Sequence, residues 1–170
     1  HSRIRVAVNV SHKQLAHKGF VDSVRQILDA AKIMPRQLEL EITESALSSS
    51  LEESRFQLQK LKEPGVRLAL DDFGTGYSNI LMLKSLPARE LKIDRIFVKD
   101  ISENSKNTKI VSTIIDIAHS MNMRVVAEGI ETQEQELLLT QMGCSMLQGF
   151  LFAKPLPSHK IHELIQQENS

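Results

Sequence analysis

Six short apolar runs rich in Val, Ile and Leu alternate along this chain with segments whose apolar residues recur at helical spacing. That alternation constrains the fold more than any other feature. Strands separated by helices do not pair as hairpins; each crossover lays the next strand parallel to the last. The expected strands are Ile4–Val10, Leu38–Thr43, Val66–Leu70, Leu91–Ile93, Val125–Ala127 and Met146–Phe152. The expected helices are Val21–Lys32, Leu51–Lys62, Ser78–Leu86, Thr108–Met121, Thr132–Met142 and Ser158–Gln167. Ser78 and Thr132 read as N-caps, and Gly65 and Gly143 as the residues just past two helix ends. Val24, Ile27, Leu28 and Ala31 form one expected helix stripe, and Ile110, Val111, Ile114, Ile115 and Ala118 another. The strands read as apolar on both faces, the pattern of a parallel sheet covered by helices. Two α/β architectures fit: a doubly wound open sheet and a closed barrel.

The 170 residues suffice for one domain with a substantial core, and no linker or second domain interrupts them. Lys+Arg and Asp+Glu both number 21, so a DNA or RNA duplex held by bulk electrostatics is not expected. The single cysteine, Cys144, excludes an internal disulfide and reads as a buried small hydrophobe. Aromatics are only 4%, so the core must be aliphatic, with Met82, Met121, Met123, Met142 and Met146 filling gaps. No apolar run reaches the roughly 20 residues that span a membrane, and no signal peptide is visible. A cytoplasmic setting is expected, without membrane contact from this segment.

Each expected strand ends in a polar residue. Asn9 closes the first, and Glu41 and Glu44 the second. Asp71 and Asp72 close the third, Lys92 and Asp94 the fourth, Glu128 and Glu131 the fifth, and Gln148 the sixth. One buried carboxylate is as readily an ordinary ion pair as a functional group. Six in register are different, because parallel strands present their C-terminal ends on one face, where barrels carry their active sites. Carboxylates with one amide oxygen, without clustered His or Cys, suit hard cations such as Mg²⁺ or Mn²⁺. Adjacent Asp71 and Asp72 suit a two-metal phosphodiester site, with ions ~3.5–4 Å apart, if the backbone aims both inward. Lys92 among these acids is either an ion-pair partner or a group that positions attacking water. The glycines of the stretch Asp72–Ser78, DFGTGYS, allow a mobile loop, although taken alone they read better as an ordinary tight turn.

In this order, VNVS, LEITES, LALDDFGTGYS, LKIDR, VVAEGIET and LQGFLFAKPL resemble the EAL domain family over about Arg3 to Pro157. DDFGTGYS and AEGIET are the specific motifs. The resemblance implies a modified TIM barrel that hydrolyses cyclic di-GMP to linear pGpG in bacterial second-messenger signalling. It implies that Asn9, Glu41, Asp71 and Asp72 ligate metal, Mg²⁺ or Mn²⁺, and that Glu128 binds metal or its water. Lys92 would act as base or position the nucleophile, and Gln148 would support that site. Glu44 would anchor the loop that includes Gly74, Thr75 and Gly76, while Asp94 and Glu131 would complete the surroundings of the metals. Asn79 stands where the family commonly has a small residue. A catalytically inactive cyclic di-GMP receptor is the alternative; every catalytic position covered holds the expected type, which favours the enzyme.

The Glu-Ala-Leu tripeptide that names the family, and an arginine that contacts the substrate phosphate, are absent. A TIM barrel typically has ~250 residues and eight strands. This chain is therefore expected to be a single partial EAL domain, residues 1–170, holding barrel strands three to eight with their helices. His1 is expected to be a truncation point. Two unpaired strand edges and an uncovered aliphatic barrel interior then predict an inactive piece that forms a homo-oligomer or swaps strands. A parent protein has room upstream for a sensor or GGDEF-type cyclase domain.

Overall fold

A computed structural model of the chain describes residues 4–47, 51–75, 80–103 and 105–168. Expectations for Arg3, Gly76, Tyr77, the Ser78 cap and Asn79 lie outside the described residues. Among the described residues, six parallel strands, β1 (Val6–Val10), β2 (Leu38–Thr43), β3 (Arg67–Phe73), β4 (Glu90–Ile93), β5 (Arg124–Glu128) and β6 (Met146–Gln148), pair in sequence order. A sequential order rules out a doubly wound sheet, in which the direction of strand addition reverses. Right-handed crossovers that always step the same way keep the helices on one face.

The sheet is curled. Lys92 on β4 reaches Glu41 on β2 across β3, and Arg5, just before β1, comes within 3.9 Å of Glu90 on β4. In a flat sheet β1 and β4 would stand about 14 Å apart, three strand spacings. The arrangement is a half-barrel with helices outside.

The helices are α1 (His12–Leu15), α2 (Phe20–Ala31), α3 (Glu44–Leu47), α4 (Leu51–Lys62), α5 (Ile80–Ser85), α6 (Arg95–Val98), α7 (Lys106–Ser120), α8 (Gln133–Gln141) and α9 (Ser158–Glu168). The core lies between the convex sheet face and these helices. Leu40, Leu70, Leu91, Ile93, Val125 and Ala127 supply the sheet side, against Leu58, Leu61, Val111, Ile115, Ala118 and Leu139. Each fully buried Leu or Ile contributes roughly 1.5–3 kcal/mol of transfer free energy.

Five expectations need correction. The strands are not apolar on both faces. Side chains alternate, so β2, LELEIT, sends Leu40 and Ile42 into the core and Glu39 and Glu41 to the concave face. The concave face is therefore not aliphatic: it carries two ionic layers, and Ala69 and Val126 are small apolar residues among them. Ile27, Ala31 and Ile110 are exposed, because the buried arcs of α2 and α7 are narrower than the periodicity suggests. Strand β6 stops at Gln148, where the chain turns and Phe152 N–H donates to the Gly149 carbonyl. Helix α7 begins two residues before the expected Thr108, because the Ser105 hydroxyl caps the Thr108 N–H. Cys144, expected to be buried, is half-buried against the core, and burial pushes its thiol pKa up to about 12. Among the described residues, no helix is long and apolar enough to cross a membrane.

Candidate active site

The C-terminal strand ends hold a compact acidic cluster around one ammonium group. Lys92 Nζ lies 2.6 Å from Glu41 Oε1, 2.5 Å from Glu128 Oε1 and 3.5 Å from Asp71 Oδ1. These side chains come from β4, β2, β5 and β3, four strands whose register brings their ends level. Glu41, Asp71 and Lys92 are buried. Burial alone would push the Lys92 pKa down. Hydrogen bonds with Glu128 and Glu41, and the charges of Glu128 and Asp71, outweigh it and hold the pKa above the usual lysine value. For Glu128, burial dominates and raises the carboxyl pKa; Lys92 offsets part of that, and the charges of Asp71 and Glu41 add to it.

Two adjacent aspartates enter this cluster because β3 bulges. Leu70 pairs with Leu91 and Phe73 with Ile93, so β3 spends one residue more than β4 over the same span. Asp72 takes up the extra length with φ of 54°, a left-handed conformation that Asp tolerates better than most residues. In an unbroken strand Asp71 and Asp72 would point to opposite faces. The bulge lets both point inward while Phe73 returns to the core at 4% exposure. Ligand oxygens of Asp71, Asp72 and Glu128 all lie within 4.8 Å of one another. Crowding has an electrostatic consequence. Burial, a hydrogen bond with Asp94 and the charges of Asp71, Asp94 and Glu128 push the Asp72 pKa up to about 6. Asp94 itself accepts from the Ile96 N–H at 2.7 Å, which caps α6 and fixes the carboxyl beside Asp72.

Other expected residues stand as follows. Asn9 is exposed on the edge strand, level with Glu41 in the β1–β2 register. Glu44 is buried at the start of α3. Gly74 has φ of +95°, and the Thr75 hydroxyl donates to the Asp72 carbonyl at 2.9 Å, closing the turn after the bulge. Glu131 and Gln148 are exposed, and among the described residues no side-chain bond joins them to the acidic cluster. Gln148 contributes its backbone, accepting from the Ile130 N–H at 3.0 Å.

Sequence reasoning missed Gln135. Its side chain is buried, and Oε1 accepts from the N–H groups of Glu131 and Thr132 at 2.8 and 3.1 Å. Its Nε2 donates to the carbonyls of Val98 and Lys99 at 3.2 and 3.3 Å. Gln135 thus ties the loop after Glu128 to the end of the helix capped by Asp94. Gly129 makes that approach possible: a Cβ there would lie 2.5 Å from Arg95 Cβ. The pattern Thr132-x-x-Gln135 is a readable capping box, and both of its hydrogen bonds form; the second pair of bonds, to α6, is tertiary and has no local signal.

The donor set fits a hard divalent cation. It offers only oxygen ligands, and its clustered negative charge, which together with burial raises the Asp72 pKa, is what such a cation offsets.

Comparisons with known proteins show the family and the fold. The family model described as "EAL domain" matches residues 1–155. The bifunctional diguanylate cyclase/cyclic di-GMP phosphodiesterase MucR of Pseudomonas aeruginosa is 45% identical over 161 residues, 95% of this chain. The chain spans only 24% of that relative's length. A solved structure titled as the MucR phosphodiesterase in complex with c-di-GMP superposes with a TM-score of 0.89 at 45% identity, covering 92% of this chain and 70% of its own. Klebsiella pneumoniae BlrP1 with manganese and cyclic di-GMP superposes with a TM-score of 0.81 at 32% identity, covering 89% of this chain and 39% of its own.

Proposed function

Because the chain belongs to the EAL domain family, we propose that it carries most of the active site of a metal-dependent phosphodiesterase that opens cyclic di-GMP to linear pGpG. The observation that supports this reading is the β3 bulge, with carboxylate oxygens of Asp71, Asp72 and Glu128 within 4.8 Å of one another and Lys92 beside Glu128. The half-barrel is read as six strands of a TIM-like barrel, residues 1–170 being part of one domain. This segment is read as the cytoplasmic part of a signalling enzyme whose sequence has room elsewhere for a sensor or cyclase domain and for a membrane anchor.

Asp71, Asp72 and Glu128, with Glu41 and Asn9 from neighbouring strands, would hold Mg²⁺ or Mn²⁺. When bound, two such ions would supply Lewis-acid polarisation of a phosphate oxygen and would lower the pKa of an attacking water. Lys92 keeps its charge and offers three N–H donors, so its part is to orient that water and balance the carboxylates. Asp94 holds Asp72 in place. Gln135 holds the loop that follows Glu128, which fixes the carboxylate's angle. The strand ends are rigid, and rigid placement is what makes positioned groups effective.

The test is product analysis. Full-length protein with Mn²⁺ and cyclic di-GMP is expected to yield pGpG, with turnover abolished by EDTA. Binding of cyclic di-GMP without turnover in any divalent cation would replace the enzyme with a receptor.

A further inference from the structure

The opposite end of the sheet carries a second layer of charge that the proposed reaction does not use. A cavity of about 390 Å³ opens at the N-terminal strand ends, and its walls are basic. At its floor lie the buried carboxylates of Glu39 and Glu90. Their charges are met within the fold. Arg5 pairs with Glu39 at 2.8 Å, and Arg124 pairs with Glu90 at 2.7 Å. That leaves Arg36, Lys62, Arg67 and Arg89 around the cavity, none of them in an ion pair among the described residues.

These four cations come from four separate pieces of chain. Arg36 sits in the 3₁₀ turn Pro35–Gln37, Lys62 ends α4, Arg67 opens β3 and Arg89 precedes β4. Backbone bonds fix their anchor points: Arg89 N–H donates to the Leu68 carbonyl at 3.1 Å, and Arg124 N–H to the Arg89 carbonyl at 2.9 Å. The chain as a whole is neutral, so this surplus is local and lies at the far end of the sheet from the acids. Like charges held around one concavity repel, and an anion in it relieves that repulsion. Guanidinium forks match phosphate oxygens two at a time, and here three arginines and a lysine face one space. The volume lies within the roughly 300–1,000 Å³ of small-ligand sites, and a concave wall suits a small molecule better than a flat membrane surface.

We infer that this cavity binds a small phosphorylated anion at a site separate from the acidic strand ends. The inference does not depend on the proposed catalysis. It is tested with inorganic pyrophosphate as the probe, by calorimetric titration of full-length protein in EDTA at low salt. Without divalent ions the acidic end repels anions, so it does not contribute. Wild type is expected to bind, and Arg67→Ala and Arg89→Ala each to weaken binding at least about tenfold, the loss of one charge-assisted contact. Arg67→Lys, which keeps the charge and loses the fork, should fall between. Lys13→Ala, on α1, should bind like wild type. Circular dichroism checks that each variant folds; both arginines are exposed, so their removal leaves the core intact. No heat up to about 10 mM pyrophosphate, or equal binding by wild type and both alanine variants, overturns the site. So does capture by anionic vesicles that these variants abolish in a protein indifferent to pyrophosphate; that result would assign the patch to a membrane.

Discussion

Replacing Gln135 by leucine tests whether the loop after Glu128 is held from below. Leucine has similar volume but removes four hydrogen bonds, at 2.8, 3.1, 3.2 and 3.3 Å. At roughly 0.5–1.5 kcal/mol net for each, with the two longest near the lower figure, the loss is about 2–4 kcal/mol. Glu131 is exposed, so water can replace its lost partner; Val98 is fully buried, so its carbonyl stays dry and the loss is not recovered there. The assay is hydrogen exchange of the segment spanning Glu128 to Glu136, which reports local opening even in a multidomain protein. Protection of the Glu131 and Thr132 amides should drop about 30- to 1,000-fold. Gln135→Glu sharpens the argument. It keeps the acceptor for both N–H groups but turns a second oxygen toward the Val98 and Lys99 carbonyls. Only its protonated form donates to them, so its folded pKa is raised. Its stability is present below the unfolded pKa and is lost as pH rises through the folded one. Unchanged exchange in Gln135→Leu, or no pH dependence in Gln135→Glu, would refute the reasoning.

Lys92→Ala should lower kcat by roughly 10²- to 10⁴-fold while cyclic di-GMP binding with metal persists; near-wild-type turnover would end the water-orienting role. Asp71→Asn and Asp72→Asn should weaken Mn²⁺ affinity and activity together in calorimetric titrations, and unchanged affinity in both would remove them from the metal set. Asp72 has its pKa pushed up to about 6, so metal affinity should rise, with proton release, as pH increases through that value; without metal, Asp72's contribution to stability is present below about pH 4 and lost as pH rises past 6. The 170-residue chain alone should self-associate in light scattering. Val6 and Val8, on the edge strand β1, are 59% and 44% exposed, an open edge of the kind that recruits a second chain. A monomer at all concentrations would count against this.

The parallel order was legible because each strand carries β-branched residues and each helix a spaced apolar stripe. The curl was not: it is a property of six strands together, and it shows in contacts such as Lys92 with Glu41 across β3. The alternation of LELEIT was on the page and marks a two-faced strand, yet neighbouring runs such as LALDD and VVAE lack charges at alternate positions and hide it. Asp71, Asp72, Glu128 and Lys92 were readable as strand-end residues. That two successive aspartates share one face depends on a bulge, and no propensity encodes φ of 54° at Asp72. The basic end is not legible in the sequence because Arg36, the Lys62–Arg67 stretch and Arg89 lie more than 20 residues apart and are gathered only by the returning strands. The Gln135 bonds to α6 span 36 and 37 residues, so only folding reveals them.

The most direct test of the central claim is manganese anomalous diffraction from crystals of the full-length protein grown with Mn²⁺ and cyclic di-GMP. The account predicts anomalous peaks bonded to oxygens of Asp71, Asp72 and Glu128, with a substrate phosphate beside them and Lys92 Nζ within hydrogen-bond reach of an intervening water. Peaks elsewhere in the molecule, or none at the strand ends while Lys92 keeps its three carboxylate partners, would contradict it.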